Sequence, residues 1–249
     1  FMEDVLMKRR DFILKSAALS AAGISGQFLN PLAAFGKEEA LKKKKAKYQF
    51  TFASPYFTNK HKTTPHAHLE IKQLLESHTK GKVYVTVKDG GSMGIGSSLS
   101  NSVRLGAAQG ALLSVSNLTP MVNELDVLNI PFWSSNEHDY LRLFKSDTWR
   151  KYVLSKVSNF NLRVLFPYVV GARTASSVKK FGKTIKAPED FKGVNFRIPG
   201  SECLKIFYNL TNANPMKIPW GLCARTARGG RYDALDPAVI GLWAGPDNL

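Results

Sequence analysis

The sequence has few cysteines, few acidic residues and no long apolar run. Only Cys203 and Cys223 occur in 249 residues, which is too few for a disulfide framework and shows no metal-site spacing. We interpret both as structurally incidental. After the N-terminal region, no stretch reaches the roughly 18 apolar residues that a membrane-spanning helix needs. An apolar fraction of 44% with 22% charged residues also excludes a disordered or collagen-like chain.

Basic residues strongly outnumber acidic ones. The chain has 35 Lys and Arg against 19 Asp and Glu, a formal net charge of +16. Such a charge points to nucleic acid, an anionic surface or an anionic ligand as the partner. Because no basic stripe interleaved with aromatic residues is present, we expect no nucleic acid to bind. An anionic surface or an anionic ligand remains as the expected partner.

The N-terminus has the pattern of an export signal. A charged region with Arg9 and Arg10 precedes the weakly apolar, Ala- and Gly-rich residues 16–24. The paired arginines resemble a twin-arginine export motif. We predict a signal peptide at 1–36 and a basic spacer at 37–47, with an amphipathic N-terminal helix as the alternative. The rest of the chain is then expected in the periplasm.

Apolar periodicity predicts strands alternating with helices from residue 48 onward. Tyr48–Ala53 and Lys82–Lys88 alternate as half-buried strands, and the helix between them starts near Thr64-Pro65 and ends at Gly81. This unit is typical of a parallel sheet. The same reading predicts helices at Ser98–Leu105, after the capping box Ser134–Glu137 and at Ser201–Leu210, and strands at Ala111–Val115, Val127–Phe132, Leu162–Val170, Val194–Ile198 and Pro215–Pro219. We therefore expect an α/β fold in two lobes.

One motif leaves an enzyme open as the alternative. Gly90–Gly94 matches G-x-S-x-G, which presents a nucleophilic serine after a strand. Ser92 would be the nucleophile, and His138 is the only histidine that follows it. A secreted serine hydrolase is therefore the alternative function, although a glycine-rich strand-to-helix turn is the preferred explanation of the motif.

The histidines do not form a predicted metal site. His61, His66, His68 and His78 are close in sequence. On one helix, however, His66 and His68 do not share a face, and His78 lies about three turns away from His66. We expect neither a metal nor a cofactor.

Arg197 is the strongest candidate for a ligand contact. In the predicted strand 194–198, alternation places Asn195 and Arg197 opposite the apolar residues. Arg197 is then near the carboxyl end of the strand and before a helix N-terminus, where α/β sheets bind ligands and anions are favoured. Its guanidinium group can hold a carboxylate with two parallel hydrogen bonds, and a structural ion pair is the alternative. By the same rule, Asn117 follows the strand at 111–115 and is a weaker candidate, because it also suits a turn.

Four stretches of the chain resemble the periplasmic solute-binding proteins of tripartite ATP-independent periplasmic (TRAP) transporters, the DctP-like family. Residues 124–132 (ELDVLNIPF) are similar to the family's ELxVLDLPF, after a small-residue helix end at 105–110. Residues 187–199 (APEDFKGVNFRIP) are similar to PEDLKGLKxRVP. The other two are Gly171–Arg173 and Ala213–Gly221.

The resemblance implies a function. It implies a two-lobed periplasmic binding protein, with lobe I at 48–170 and part of lobe II at 171–249. It implies that Arg197 binds the carboxylate of a small organic acid, with Arg173 as a second anion contact and Trp220 packed on the ligand. Asp236 is a weaker candidate, because 233–237 resembles the family's DGxEN only loosely. The partners are then an organic-acid anion and the membrane subunits of a TRAP transporter, without catalysis.

The chain also departs from the family pattern. Residues 222–233 stand where the family has EVYTALQxGxxD, and Arg225, Arg228 and Arg231 replace mostly neutral positions. A pair of compensating frame errors is one hypothesis for this stretch. The sequence also stops before the long hinge and bracing helices of the family, so we expect a truncated copy.

Overall fold

The structure is a computed structural model that describes residues 31–58, 67–238 and 241–242. The chain divides into two compact units, Phe1–Lys44 and Lys45–Leu249. Most of the predicted signal peptide, the predicted helix start at Thr64-Pro65, and His61 and His66 lie outside the described residues. Among the helices that are described, none has the length and apolar character needed to cross a membrane.

The first unit contributes one described helix, which runs one residue into the second unit. This helix, α1 (Pro31–Lys45), contains most of the predicted basic spacer. Within it, Lys42 pairs with Glu38 and Glu39 at 3.0 Å and 3.2 Å. The side chains are exposed, so these pairs contribute little to stability.

The second unit contains the alternating strands and helices. The remaining helices are α2 (Ala67–His78), α3 (Ser97–Arg104), α4 (Glu137–Lys145), α5 (Asp147–Trp149), α6 (Ser155–Val157), α7 (Glu202–Leu210) and α8 (Cys223–Arg228). The strands are β1 (Tyr48–Ala53), β2 (Val83–Lys88), β3 (Gly110–Ala111), β4 (Ser176–Ser177), β5 (Asn195–Ile198), β6 (Asn214–Lys217) and β7 (Ala234–Leu235). A π-helical segment, Arg150–Leu154, joins α5 to α6. Short 3₁₀ helices lie at Val115–Asn117, Asn123–Asn129, Ser158–Phe160, Lys179–Phe181, Pro188–Phe191 and Trp220–Leu222.

The first sheet has the order β2-β1-β3, and all its pairs are parallel. The β1–β2 register runs from Tyr48 opposite Val83 to Ala53 opposite Lys88. The connecting helix α2 packs its apolar side on the buried strand residues Phe52 and Val85. After α2, Gly81 has a φ of 74°, a left-handed conformation that glycine adopts without steric cost. The predicted strand–helix–strand unit is therefore confirmed.

The second sheet has the order β4-β7-β5-β6. Strand β5 runs parallel to both β6 and β7, while β4 is antiparallel to β7. Its core contains Phe196 and Ile198, both fully buried. Phe196 stacks on Tyr208 of α7 with ring centroids 4.0 Å apart. The predicted strand–helix–strand order at 194–219 is thus confirmed, and so is the α/β class with mainly parallel sheets.

Three strand predictions are wrong in whole or in part. Residues 123–129 form a 3₁₀ helix, because Leu125 and Leu128, three apart, point together into a core with Trp149. Residues 162–170 form no strand in the described chain, since the apolar side chains of Leu162 and Val164 pack on that same helical core. The strand predicted at 111–115 is reduced to β3. The proposed lobe boundary at 170–171 stays a prediction.

Candidate functional site

Strand β5 places Arg197 in the interior of the second sheet. The side chain is only 3% exposed, between the fully buried Phe196 and Ile198. Its Nε donates to the carbonyl oxygen of Ile218 over 2.8 Å. This bond fixes the Nε side of the guanidinium group and leaves its two terminal nitrogens available for other partners.

Asp236 lies beside Arg197 because β7 is the neighbouring strand. Arg197 is opposite Leu235 in the parallel register, so the next residue, Asp236, emerges from the end of β7. Asp236 is fully buried. One carboxylate oxygen, Oδ1, is 3.5 Å from Arg197 Nη1, and the other, Oδ2, is 3.1 Å from Arg173 Nη1. Oδ1 accepts no hydrogen bond within the described part of the chain.

Arg173 connects Asp236 to the polypeptide at 116–129. Its Nη1 donates to the backbone carbonyl and the carboxylate of Asp236 over 3.0 Å and 3.1 Å. Its Nη2 donates to Ser116 Oγ over 3.0 Å and to Asn129 Oδ1 over 3.3 Å. The position of Arg173 is stabilised further by a bridge between its backbone and Ala238. Side chains from two distant parts of the sequence, Asp236 on one side and Ser116 and Asn129 on the other, therefore fix the position of Arg173.

Trp220 completes the group of predicted residues that the fold assembles. It begins the 3₁₀ helix after β6, and its ring centroid is 5.4 Å from the Cζ atom of Arg197. That distance is within the range of a cation–π contact. Four of the five predicted site residues, Arg173, Arg197, Trp220 and Asp236, thus meet in one cluster.

Burial controls the electrostatics of this cluster. Burial raises the pKa of Asp236 to about 6, although Arg173 and Arg197 act in the opposite direction. Burial also lowers the pKa of Arg197, which stays protonated because a guanidinium pKa is normally above 12. Desolvation raises the pKa of the neighbouring thiol of Cys223 to about 11. At neutral pH the cluster therefore holds two cations and one carboxylate.

The N-terminus of α7 is already occupied by an anion from the protein. Asp126 Oδ2 accepts from the backbone nitrogens of Glu202 and Cys203 over 2.8 Å and 2.9 Å. Asn129 Nδ2 donates to Asp126 Oδ1 over 2.8 Å. The expectation that this helix end favours an anionic ligand is wrong, because the Asp126 carboxylate accepts hydrogen bonds from both amides. No short-range signal links residue 126 to a helix some 76 residues later.

A family profile matches residues 54–226, and its description is "Bacterial extracellular solute-binding protein, family 7", or DctP. The chain belongs to this family. The predicted family resemblance is thereby confirmed over more than half of the sequence, including Arg173, Arg197 and Trp220. Asp236 lies beyond the matched residues.

Solved structures of TRAP periplasmic solute-binding proteins share the fold of this family 7 chain. One from Sulfurospirillum deleyianum with bound succinate has a TM-score of 0.70 at 23% identity, covering 80% of this chain and 62% of that one. A sugar acid binding protein from Advenella mimigardefordensis in complex with galactonate has a TM-score of 0.71 at 17% identity, covering 79% and 61%. One from Pseudomonas aeruginosa with bound L-malate has a TM-score of 0.71 at 21% identity, covering 79% and 66%.

The family 7 chain is shorter than these proteins. An uncharacterized protein of Haemophilus influenzae is 24% identical to it over 172 residues, which is 69% of this chain. The chain spans half the length of that curated relative and less than two thirds of the solved structures above.

Asn117, the fifth predicted residue, lies next to this cluster but does not join it. It ends the 3₁₀ helix Val115–Asn117 and is half-buried. Its backbone carbonyl accepts from Ser100 Oγ over 3.3 Å. Its neighbour Ser116 is the residue that contacts Arg173. Within the described residues, no hydrogen bond joins the Asn117 side chain to either arginine.

Nothing in the fold favours the serine hydrolase alternative. Ser92 is exposed on a turn in which Gly90, Gly91 and Gly94 have positive φ, and His138 is exposed on α4. No hydrogen bond between Ser92 and His138 occurs in the described structure. The motif is explained by its turn, since a Cβ at Gly90 would lie 2.3 Å from the ring of Phe57.

The histidines and cysteines considered in the sequence form no metal site or disulfide within the described residues. His68 is fully buried, and its Nε2 is 3.1 Å from Thr58 Oγ1. In the described ranges, no group of three or more His, Cys, Asp or Glu side chains is arranged to hold a metal ion. Cys203 and Cys223 are both free thiols.

Proposed function

We propose that this chain captures a small organic acid outside the cytoplasm, with Arg197 as the group that holds the carboxylate. The observation that carries the proposal is the state of the Arg197 side chain. Its Nε is fixed by Ile218, it is almost completely buried, and its terminal nitrogens donate no hydrogen bond within the described chain. A guanidinium group in that state is prepared for two parallel bonds to a carboxylate.

The ligands of the structural neighbours support this substrate class. Succinate, galactonate and L-malate, bound in three of them, are all carboxylic acids. In this chain, Trp220 beside Arg197 supplies an aromatic surface for the carbon skeleton of such a ligand. Arg173 adds positive charge and keeps Asp236 in place.

Capture of this kind requires export and a membrane partner. We propose that the segment with Arg9 and Arg10 directs export to the periplasm by the twin-arginine route. We further propose that the loaded protein delivers its ligand to the membrane subunits of a TRAP transporter. The family assignment supports a location outside the cytoplasm, since the family is one of extracellular solute-binding proteins. The paired arginines support the route, and the fold shared with TRAP periplasmic solute-binding proteins supports the partner. No bond is made or broken in this function.

Replacing Arg197 tests the proposal. A calorimetric screen of mono- and dicarboxylates on the purified chain identifies a bound acid. Arg197→Ala should then weaken the binding of that acid by about a hundredfold or more, because the substitution removes the buried cation that pairs with the carboxylate of the ligand. Arg197→Lys keeps the charge but loses the two-donor geometry, so we expect an intermediate affinity.

The matched control is Arg142→Ala, which removes an arginine whose side chain is 75% exposed on α4. This variant should bind the acid as tightly as the wild type. Circular dichroism spectra identical to the wild type establish that the Arg197 variants are folded. Unchanged affinity in a folded Arg197→Ala protein would remove Arg197 from the site.

A further inference from the structure

The two arginines of the cluster differ in the donors that they have left. The Nη1 atom of Arg173 donates to Asp236, and its Nη2 donates to Ser116 and Asn129. Arg197 donates only from Nε, while its Nη1 forms an ion pair with Asp236 at 3.5 Å without a hydrogen bond. Within the described residues, the cluster thus offers a ligand the two-donor end of one guanidinium group.

Asp236 cancels one of the two positive charges of this cluster. Its ionised carboxylate leaves one net positive charge beside the free end of Arg197. Among the described residues, the other titratable groups that interact with this cluster are Tyr140, Tyr208, Cys223 and Tyr232. Burial raises the pKa of each, so they are neutral at pH 7. Because the carboxylate is fully buried, water screens its field weakly.

We propose that the site accepts a monocarboxylate and that Asp236 is the residue that disfavours a second carboxylate. The inference rests on the proposed function, since it specifies the acid that Arg197 holds. One carboxylate on Arg197 neutralises the cluster. A second carboxylate on the same small ligand is repelled by Asp236 and has no further free guanidinium end in the described cluster.

Galactonate and galactarate form a matched pair for the test, because they share one carbon skeleton and differ in having one or two carboxylates. Both acids stay ionised down to about pH 5, as α-hydroxy carboxyl groups titrate near the range of a peptide C-terminus. Calorimetry on the wild-type chain at pH 7.5 should show galactonate binding about tenfold or more tighter than galactarate. Butanoate and succinate repeat the comparison on a shorter skeleton.

Asp236→Asn isolates the carboxylate, since the amide has nearly the same shape without the charge. In this variant, we expect the ratio of galactonate affinity to galactarate affinity to fall at least about fivefold, mainly because galactarate binds more tightly. Asp147→Asn is the matched control, because it makes the same change at a side chain that is fully exposed. That control should keep the wild-type ratio.

A pH series on the wild type gives a second readout if Asp236→Asn does not fold. As the pH falls from 7.5 to 5.5, Asp236 takes up a proton and the preference for galactonate should narrow. Galactarate binding as tightly as galactonate at pH 7.5, or a ratio that neither Asp236→Asn nor pH alters, overturns the role of Asp236. Failure of these four acids and of every other acid in the screen to bind instead contradicts the proposed function itself.

Discussion

At the scale of single residues, the burial of Asp236 determines a pH dependence of stability. The carboxyl group is fully buried and its pKa is raised to about 6, above the value of an exposed aspartate. The folded state therefore binds the proton more tightly than the unfolded state does. A group of this kind stabilises the fold fully below its unfolded pKa, and that contribution is lost as the pH rises through its folded pKa.

The pH dependence can be measured against Asp236→Asn. Between about pH 4 and pH 7, the unfolding free energy of the wild type should fall relative to the variant by up to about 3 kcal/mol. Urea denaturation of both proteins at several pH values measures this difference. Groups that titrate in both proteins contribute equally to the two stabilities, so they do not affect the difference. Parallel stability curves for the two proteins would contradict a raised pKa at Asp236.

The sequence predicted which residues form this cluster but not which of them contact one another. Alternation in 194–198 and the family resemblance predicted Arg197, and the resemblance added Arg173, Trp220 and Asp236. The pairing of Asp236 with both arginines depends on β7 lying beside β5, which is a long-range arrangement without a local signal. For the same reason, the sequence did not show that Ser116 and Asn129 occupy half of the Arg173 guanidinium group.

At the scale of elements, the start of α7 depends on a residue from a distant part of the chain. Asp126 accepts hydrogen bonds from two amides of the first turn, and the local cap Ser201 accepts from Leu204 over 3.1 Å. Burial would raise the pKa of Asp126, but bonds from Ser201, Cys203 and Asn129 outweigh it, and the pKa is lowered. This carboxylate therefore stabilises the fold above the pKa of an unfolded aspartate and loses that effect as the pH falls.

Asp126→Ala should destabilise the chain by about 1–3 kcal/mol, because it leaves two amides and the Asn129 side chain without an acceptor. Urea denaturation at pH 7 measures the loss as a lower midpoint with an unchanged slope. Asp147→Ala removes an exposed aspartate that starts α5 and serves as the control, with a small expected change. Equal midpoints for the two variants would show that α7 does not need Asp126.

Element prediction succeeded where local periodicity and packing agree. Strands β1, β2 and β5 and helices α2 and α7 have apolar spacings that match one buried face. The stretch 123–129 contains apolar residues that suit a strand equally well, and only the core around Trp149 selects the 3₁₀ helix. At 162–170, apolar side chains pack against helices and do not pair with a neighbouring strand.

At the scale of the whole second unit, polar bonds connect the residues around Ser116 with those around Asp236. Thr119 Oγ1 donates to the carbonyl oxygen of Gly200 over 2.6 Å, in addition to the bonds of Asp126 and Arg173. These contacts join the 3₁₀ segments at 115–129 to the second sheet. Ser100 Oγ of α3 donates to the carbonyl oxygen of Asn117 over 3.3 Å, and α3 packs on β1 through Leu99 and Ala53, which joins the same segments to the first sheet. We therefore expect ligand binding at Arg197 to stabilise the unit as a whole rather than one sheet alone.

Calorimetric melting tests this coupling. An acid at about a hundred times its dissociation constant should raise the unfolding free energy by about 2.7 kcal/mol. The whole unfolding transition should move to higher temperature without dividing, because the bonds from 115–129 make both sheets unfold together. Arg197→Ala should melt at the same temperature with and without the acid, while Arg142→Ala should show the wild-type shift. A transition that splits when the acid is added would mean that the sheets unfold independently, and the network through Thr119, Asp126 and Arg173 would then not couple them.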